Sequence, residues 1–348
     1  MPAPLDSLSS DLDRITRETG FSGAVMVSRA GAALVAAAYR DAHRGLRVPN
    51  TMRTQFAMAS GSKGLTALAV GWLLHTGRIG LETSARELLG DLLPRVDAGV
   101  RIRHLLGHTS GVGDYLDEEV LDDVNAYVLG IPVHQLAGPR DYLPLLDGLD
   151  QKFPPGARFS YSNGGYVILS LIVELVTGDS FYQVVQRQVL DPAGMPDTGY
   201  HRCDELPGPA ALGYLSATGS DRTNVLHLPV RGTGDGGAYS TCADVEALWT
   251  ALFAGRILPP DLVETFVIPH TPAATERLGY GYGFWLRRDR RTVMLEGYDA
   301  GVSFRSAHDR DSGLTYTVMS NTSTGAWPVV RHLDQRLPAL ADAAIDAD

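Results

Sequence analysis

What most restricts the fold of this chain is where its strand signals lie: at the two ends, with a long helical stretch between them. Near the start, SGAVMVSRAGAALVAAAY (Ser22 to Tyr39) reads as two β-runs joined at Arg29-Ala30-Gly31, a hairpin signal that has strands opening the chain. After about residue 230 strand patterning returns in GYGYGFWLR, RTVMLEGY and GLTYTVMSNTS, before a final helix from about Trp327 to Ala344. From Ser60 to about Gly178 the pattern is helical. The spacing predicts Ser62 to His75 closed by Gly77, a Ser84 to Leu89 turn, Ile102 to Leu106, and Gly165 to Val176 closed by Gly178. This order lacks the steady βαβα rhythm of a doubly wound fold. It predicts a mixed α/β (α+β) protein whose antiparallel sheet is built from both chain ends, is flanked by helices and carries an inserted helical lobe. The expectation is one unit over 1–348, with 1–60 plus 230–348 as the α/β lobe and 61–229 as the mainly helical lobe.

Several classes of function are disfavoured. A formal net charge of -10 argues against a nucleic-acid partner, because phosphate neutralisation needs clustered Lys and Arg. The densest basic run, Arg287-Arg288-Asp289-Arg290-Arg291, reads as a solvated turn between strands. Cys203 and Cys242 form no CxxC or Cys/His cluster, so no structural metal is expected. His104 and His108 are four apart without an HExxH pattern and read as turn histidines satisfied by backbone. The first twenty residues carry three Asp and no apolar core of secretory length, and the run Tyr166 to Val176 is too short to span a bilayer. A cytoplasmic protein with no membrane partner is expected; nothing in the chain fixes an oligomeric state.

Chemistry enters with lysine usage. Of 30 Lys and Arg, only Lys63 and Lys152 are lysine, leaving 28 arginines. Arginine keeps its proton inside a protein, whereas a desolvated lysine can release it. Lys63 lies in MASGSKGLTALAV, Met58 to Val70, as the last residue of Ser60-Gly61-Ser62-Lys63 at a helix start. Three residues apart on a helix, the lysine amine can reach the serine oxygen, and amide N–H groups there favour developing negative charge. A serine hydroxyl needs such a base before it attacks a carbonyl.

About a hundred residues on, FPPGARFSYSNGGYVILSLIVELVTG places Tyr161-Ser162-Asn163 on a loop rim before a buried helix. A tyrosine beside an ammonium can exchange a proton with a serine, and an Asn amide can hold a substrate carbonyl or the lysine. The bland reading makes Tyr161 a packing residue and Asn163 the helix N-cap.

Ser60-x-x-Lys63 followed by Tyr161-x-Asn163 resembles the serine β-lactamase and penicillin-binding-protein superfamily. The likeness is to its branch of class C β-lactamases, DD-peptidases, D-aminopeptidases and family VIII esterases. SGAVMVSRAG resembles the first hairpin of that family, LLGHTSGV its lobe-crossing turn and GDGGAYSTCADVEAL its late glycine-rich turn and helix. The resemblance implies the β-lactamase/DD-peptidase fold and catalysis by Ser60, with Lys63 and Tyr161 sharing the base and acid roles. Asn163 would orient substrate or Lys63, and the Ser60 N–H with an edge-strand N–H would hold the oxyanion. No metal or organic cofactor is implied.

The third motif departs from the pattern. Where family members carry Lys-Thr-Gly or His-x-Gly, this chain has LEGYDAGVSFRS, with Tyr298 matching the Lys or His, Glu296 and Asp299 as other possible occupants, and Tyr298, Asp299 and Gly301 expected to bind substrate. Loss of that cation disfavours carboxylate-bearing β-lactams and peptides. The expectation is a serine hydrolase acting on a small, neutral ester or amide. The alternatives are a β-lactamase, D-aminopeptidase or DD-peptidase, an acyltransferase, or a silent ligand-binding protein of the same fold. Gly232 to Gly237 formally satisfies GxGxxG, but no βαβ unit surrounds it, and it reads better as a turn bordering the site.

Overall fold

A computed structural model describes residues 6–121, 123–270, 278–288 and 290–345. The chain opens with a helix, not a strand: α1 spans Asp6–Thr19 and buries Leu8, Leu12 and Ile15 along one stripe. That three- and four-residue spacing is an amphipathic signal visible in the sequence and overlooked beside the stronger β-runs. Strands β1 (Gly23–Arg29) and β2 (Ala32–Tyr39) follow as the expected hairpin. The long helices are α2 (Lys63–His75), α3 (Asn163–Thr177), α4 (Cys242–Phe253) and α5 (Ala326–Ile345). Gly178 closes α3 in the left-handed conformation, φ 76°, which leaves no Cβ to clash.

The late strands are β3 (Leu278–Tyr280), β4 (Trp285–Arg287), β5 (Thr292–Asp299), β6 (Val302–Asp309) and β7 (Leu314–Ser320). The single run expected for GYGYGFWLR is therefore two short strands around a turn at 281–284. The basic run straddles the β4–β5 connection, with Asp289 outside the described residues. The seven strands order as β2-β1-β7-β6-β5-β4-β3, every pair antiparallel. β1 lies against β7 from Gly23↔Ser320 to Arg29↔Leu314, so the two chain ends meet mid-sheet.

Side chains alternate across the sheet. Val25, Val27, Met294 and Val318 pack with α1 and α5, whereas Ala24, Met26, Val293, Leu295 and Met319 join the larger core formed with α2, α3 and α4. Strands covered on both faces can lose polar alternation, as in the AVMV run of β1, whereas β7 keeps its alternating L-T-Y-T-V pattern although every residue in it is buried. No single helix among the described residues is long and apolar enough to cross a membrane.

Candidate active site

Ser60 sits in a one-turn helix, Ala59–Ser62, that leads directly into α2. Ala59 is held at φ 43°, a left-handed conformation costly for a residue with a Cβ. Its carbonyl accepts Ser62 Oγ–H at 2.8 Å and the Gly237 N–H at 3.3 Å, while Ser62 Oγ accepts the Ala238 N–H at 3.0 Å. The turn is thus held from behind by the 232–238 segment. The first backbone bond of the turn runs from Gly61 N–H to Met58 O, 2.9 Å, which leaves the Ser60 N–H among the orphan donors of a helix start.

Lys63 is 1% exposed. Its Nζ lies 2.9 Å from Ser60 Oγ, 2.8 Å from Asn163 Oδ1 and 2.6 Å from the Asp235 carbonyl oxygen. Burial pulls its pKa below the usual lysine value, with Asp235, Glu118, Asp114 and Asp299 pulling the other way. Asp235 belongs to the Gly232–Gly237 turn, so that glycine-rich run borders the site, as the sequence reading had it.

Ser162, not Asn163, caps α3: its Oγ accepts the Gly165 N–H at 3.0 Å. Asn163 is therefore free for the site, and the bland reading of it as a cap does not hold. Tyr161 packs against His108 (ring centroids 4.2 Å apart) and stacks on Trp285 at 6.0 Å. Burial raises its pKa well above the ordinary tyrosine value, with the nearby Ser60 hydroxyl pulling the other way. His108 Nδ1 accepts the Ser162 N–H at 3.1 Å, and burial followed by the Lys63 charge keeps this ring neutral. His104 Nδ1 accepts the Arg101 N–H at 3.1 Å. Both rings bond to backbone, but only His108 is a turn residue, His104 lying in the short helix Ile102–Leu106; no metal-holding cluster is present among the described residues.

The third motif is rearranged relative to the sequence match. Along β5, Met294, Glu296 and Tyr298 face α5: Glu296 pairs with Arg305, and Arg305 also meets Asp334 at 3.0 Å. The Tyr298 ring packs edge-on against Trp327, 6.0 Å between centroids, and is 45% exposed. Tyr298 lines the cavity rim while its ring lies on the α5 side of the strand. Gly301 lies at the tip of the β5–β6 hairpin with its N–H donated to Ser323 Oγ at 2.8 Å, and it is not among the cavity walls.

Gly297 and Asp299 face the site. A Cβ on Gly297 would lie 1.9 Å from Met58 O, so only glycine lets β5 run against the turn that carries Ser60. Asp299 is pushed up to about 7, first by burial, with Glu118 and Asp235 adding to the shift. Its Oδ1 accepts the Ala300 N–H at 2.8 Å and Tyr127 O–H at 3.3 Å.

Beside Ser60 opens a cavity of ≈ 250 Å³. Leu121, Val124, Leu129, Tyr142, Leu228 and Val230 form its apolar side, and Glu118, Asp235 and Asp299 its polar side; no Lys or Arg is among its described walls. Tyr115, on the segment leading to Glu118, donates to the Asp235 carboxylate, whose other oxygen accepts Thr233 Oγ1–H at 2.7 Å. Leu121, Val124, Leu129 and Tyr142 of this wall come from residues 115–142, none of which the sequence analysis singled out. Their sparse turns give no periodic pattern to read.

The family model described as Beta-lactamase matches residues 12–341. The chain belongs to the β-lactamase family. It is 28% identical over 296 residues to penicillin-binding protein 4* of Bacillus subtilis, covering 81% of this chain and 63% of that protein. To a D-aminopeptidase of Gluconobacter oxydans it is 27% identical over 333 residues, covering 92% of this chain and 60% of the relative. It thus spans about three fifths of the length of these curated relatives. Among solved structures, the penicillin-binding protein from Bacillus halodurans superposes with a TM-score of 0.87 at 37% identity, over 93% of this chain and 99% of that one. The mixed α/β fold with its large antiparallel sheet is the fold of that family.

Proposed function

We propose that this protein is a serine hydrolase that forms an acyl-enzyme on Ser60 from a small amide or ester. The observation that carries the reading is the setting of Lys63. A neutral amine has two N–H donors and one lone pair. The Asn163 and Asp235 oxygens take the two donors, and the lone pair then faces Ser60 Oγ at 2.9 Å. Burial favours that neutral form. Lys63 accordingly takes the Ser60 proton as Oγ attacks the carbonyl carbon. Tyr161 is kept protonated by its surroundings and acts as the acid that hands a proton to the leaving nitrogen or oxygen.

Two amide donors support the oxyanion. One is the Ser60 N–H. The other follows from hairpin geometry: with Ala300 and Gly301 as the two-residue loop, Asp299 and Val302 close the hairpin and Tyr298 stands opposite Ser303. That next pair is not mutually hydrogen-bonded, so the Tyr298 N–H points away from β6 towards the Ser60 turn. Tyr298 serves through its backbone rather than its ring. Passage of the Lys63 proton to the Tyr161 phenolate resets both groups; water then attacks the acyl-ester, Lys63 takes its proton and returns it to Ser60 Oγ as the ester bond breaks and the acid leaves, and an amine or alcohol acceptor in place of water would give acyl transfer.

The sequence expectation of a neutral substrate gives way to a charged one. Glu118, Asp235 and Asp299 share the cavity wall without a cation, which repels carboxylate-bearing acyl groups and favours one carrying an ammonium. A relative named D-aminopeptidase agrees with that preference. The test is intact-mass measurement after brief exposure to p-nitrophenyl acetate. A single acetyl adduct on wild type is expected, with none on Ser60→Ala and turnover reduced on the order of a thousandfold. Full turnover by Ser60→Ala would sink the proposal.

A further inference from the structure

The second lysine has a role of its own. We propose that Lys152 is a positioning residue that sets the amide of Asn163, and through it Lys63; this rests on the Ser60 acyl-enzyme reading. A strap, residues 114–119, holds Asn163 through Asp114, Leu116 and Glu118 and meets Lys152 through Asp117 and Glu119. Asp114 accepts the N–H groups of Asn163 (2.7 Å) and Gly164 (2.9 Å) at the start of α3. Two and four residues on, the Leu116 carbonyl and Glu118 Oε1 each accept one N–H of Asn163 Nδ2, both at 3.0 Å. With both amide donors engaged by the strap, Oδ1 is turned to Lys63, 2.8 Å away. The strap thereby decides which end of the amide Lys63 meets.

Asp117 and Glu119 face Lys152 instead. Its Nζ lies 2.7 Å from Asp117 Oδ2, 3.3 Å from Glu119 Oε2 and 3.3 Å from Ser160 Oγ, the residue before Tyr161. Ser160 Oγ–H in turn donates to Glu119 Oε1 at 2.7 Å. Lys152 therefore ties the strap at 117, between the two residues that orient Asn163, to the segment that carries Tyr161. With side chains 21% and 24% exposed, the Lys152–Asp117 pair is better shielded than the neighbouring Arg158–Glu119 pair at 50% and 42%. Removing Lys152 frees Asp117 Oδ2 and slackens the strap where the Asn163 amide is held.

The experiment is steady-state kinetics of the full chain with p-nitrophenyl acetate for Lys152→Met, Lys152→Arg and Arg158→Met, each with a thermal melt. Lys152→Met is expected to lower kcat by about tenfold or more with KM within about twofold, since small displacements at a reacting centre act on rate rather than on binding. Lys152→Arg, which keeps the charge but not the ammonium's divergent donors, is expected to fall between, and Arg158→Met to stay within about twofold of wild type. If Lys152→Met does not fold, Asp117→Asn carries the same expected loss. Wild-type kcat in Lys152→Met, or an equal loss in Arg158→Met, overturns the proposal. A wild type that forms no Ser60 adduct fails the acyl-enzyme reading instead, so the two failures are told apart.

Discussion

Replacing Gly297 with Ala puts the third-motif assignment to a direct test. The new Cβ would stand 1.9 Å from Met58 O and 2.9 Å from Gly61 N, the two atoms joined by the hydrogen bond that closes the turn bearing Ser60. Both are backbone, so no side chain can rotate away. Restoring ordinary contact forces β5 and the turn apart by roughly 1 Å, because close-packed interiors transmit such strain. A displacement of that size at a catalytic centre costs on the order of a hundredfold in rate. Overpacking adds about 1–3 kcal/mol of destabilisation. The assay is the pre-steady-state burst of nitrophenol from p-nitrophenyl acetate, with melting measured alongside. Gly31→Ala is the control: φ 81° makes it strained, nothing lies within 4 Å of its Cβ, and it sits in the β1–β2 turn. It should lose stability by about 1–2 kcal/mol and keep its burst rate. A Gly297→Ala protein that folds and bursts at the wild-type rate would refute the claim that β5 supplies the wall and the second amide of the oxyanion site.

Two further outcomes follow from the charges. Lys63→Arg keeps the cation but cannot release a proton, so acylation is expected to fall on the order of a thousandfold across pH 6 to 10; a smaller loss would return the base role to Tyr161. Asp299→Asn should lower the preference for alanine p-nitroanilide over its N-acetyl analogue by about tenfold, measured as a ratio of kcat/KM within one preparation. The same change should stabilise the fold at high pH. Asp299 titrates near 7 when folded against an ordinary 3.8, so the native state holds a proton that the unfolded chain has lost across that window. Wild type therefore loses stability as pH rises from about 4 to 7, and above 7 the variant should be more stable by about 1–3 kcal/mol. Melting at pH 8 and pH 4 checks the sign: the advantage must vanish at the lower pH.

Legibility in the sequence tracked how local each signal was. The pairing of Ser60 with Lys63 was readable because their contact is made within one helical turn, and the helix ends at Gly77 and Gly178 because glycine marks a left-handed stop. α1 was missed although Leu8, Leu12 and Ile15 carried its period, since the adjacent hairpin was the louder signal. The third motif was harder to phase for a different reason. The Tyr298 ring lies against Trp327, and strand alternation could not be phased from LEGYDAGVSFRS without knowing that the hairpin loop holds only Ala300 and Gly301. The carboxylates of the cavity were beyond reach: Glu118, Asp235 and Asp299 come from three segments brought together only by the fold, two of them without periodic pattern.

The scarcity of lysine was a better signal than its first use suggested. Each of the two lysines has three acceptors in three directions: Ser60 Oγ, Asn163 Oδ1 and the Asp235 carbonyl for Lys63, and Asp117 Oδ2, Glu119 Oε2 and Ser160 Oγ for Lys152. An ammonium sends its N–H bonds along divergent directions, whereas a guanidinium offers a planar fork suited to one carboxylate. At Lys63 the need to shed a proton adds a second reason against arginine; at Lys152, flanked by two carboxylates that hold its charge, that reason is absent. Shape alone therefore accounts for the second lysine. In a chain that uses arginine almost everywhere else, both exceptions bear on the setting of Asn163, one by accepting its aim and the other by fixing the strap that aims it.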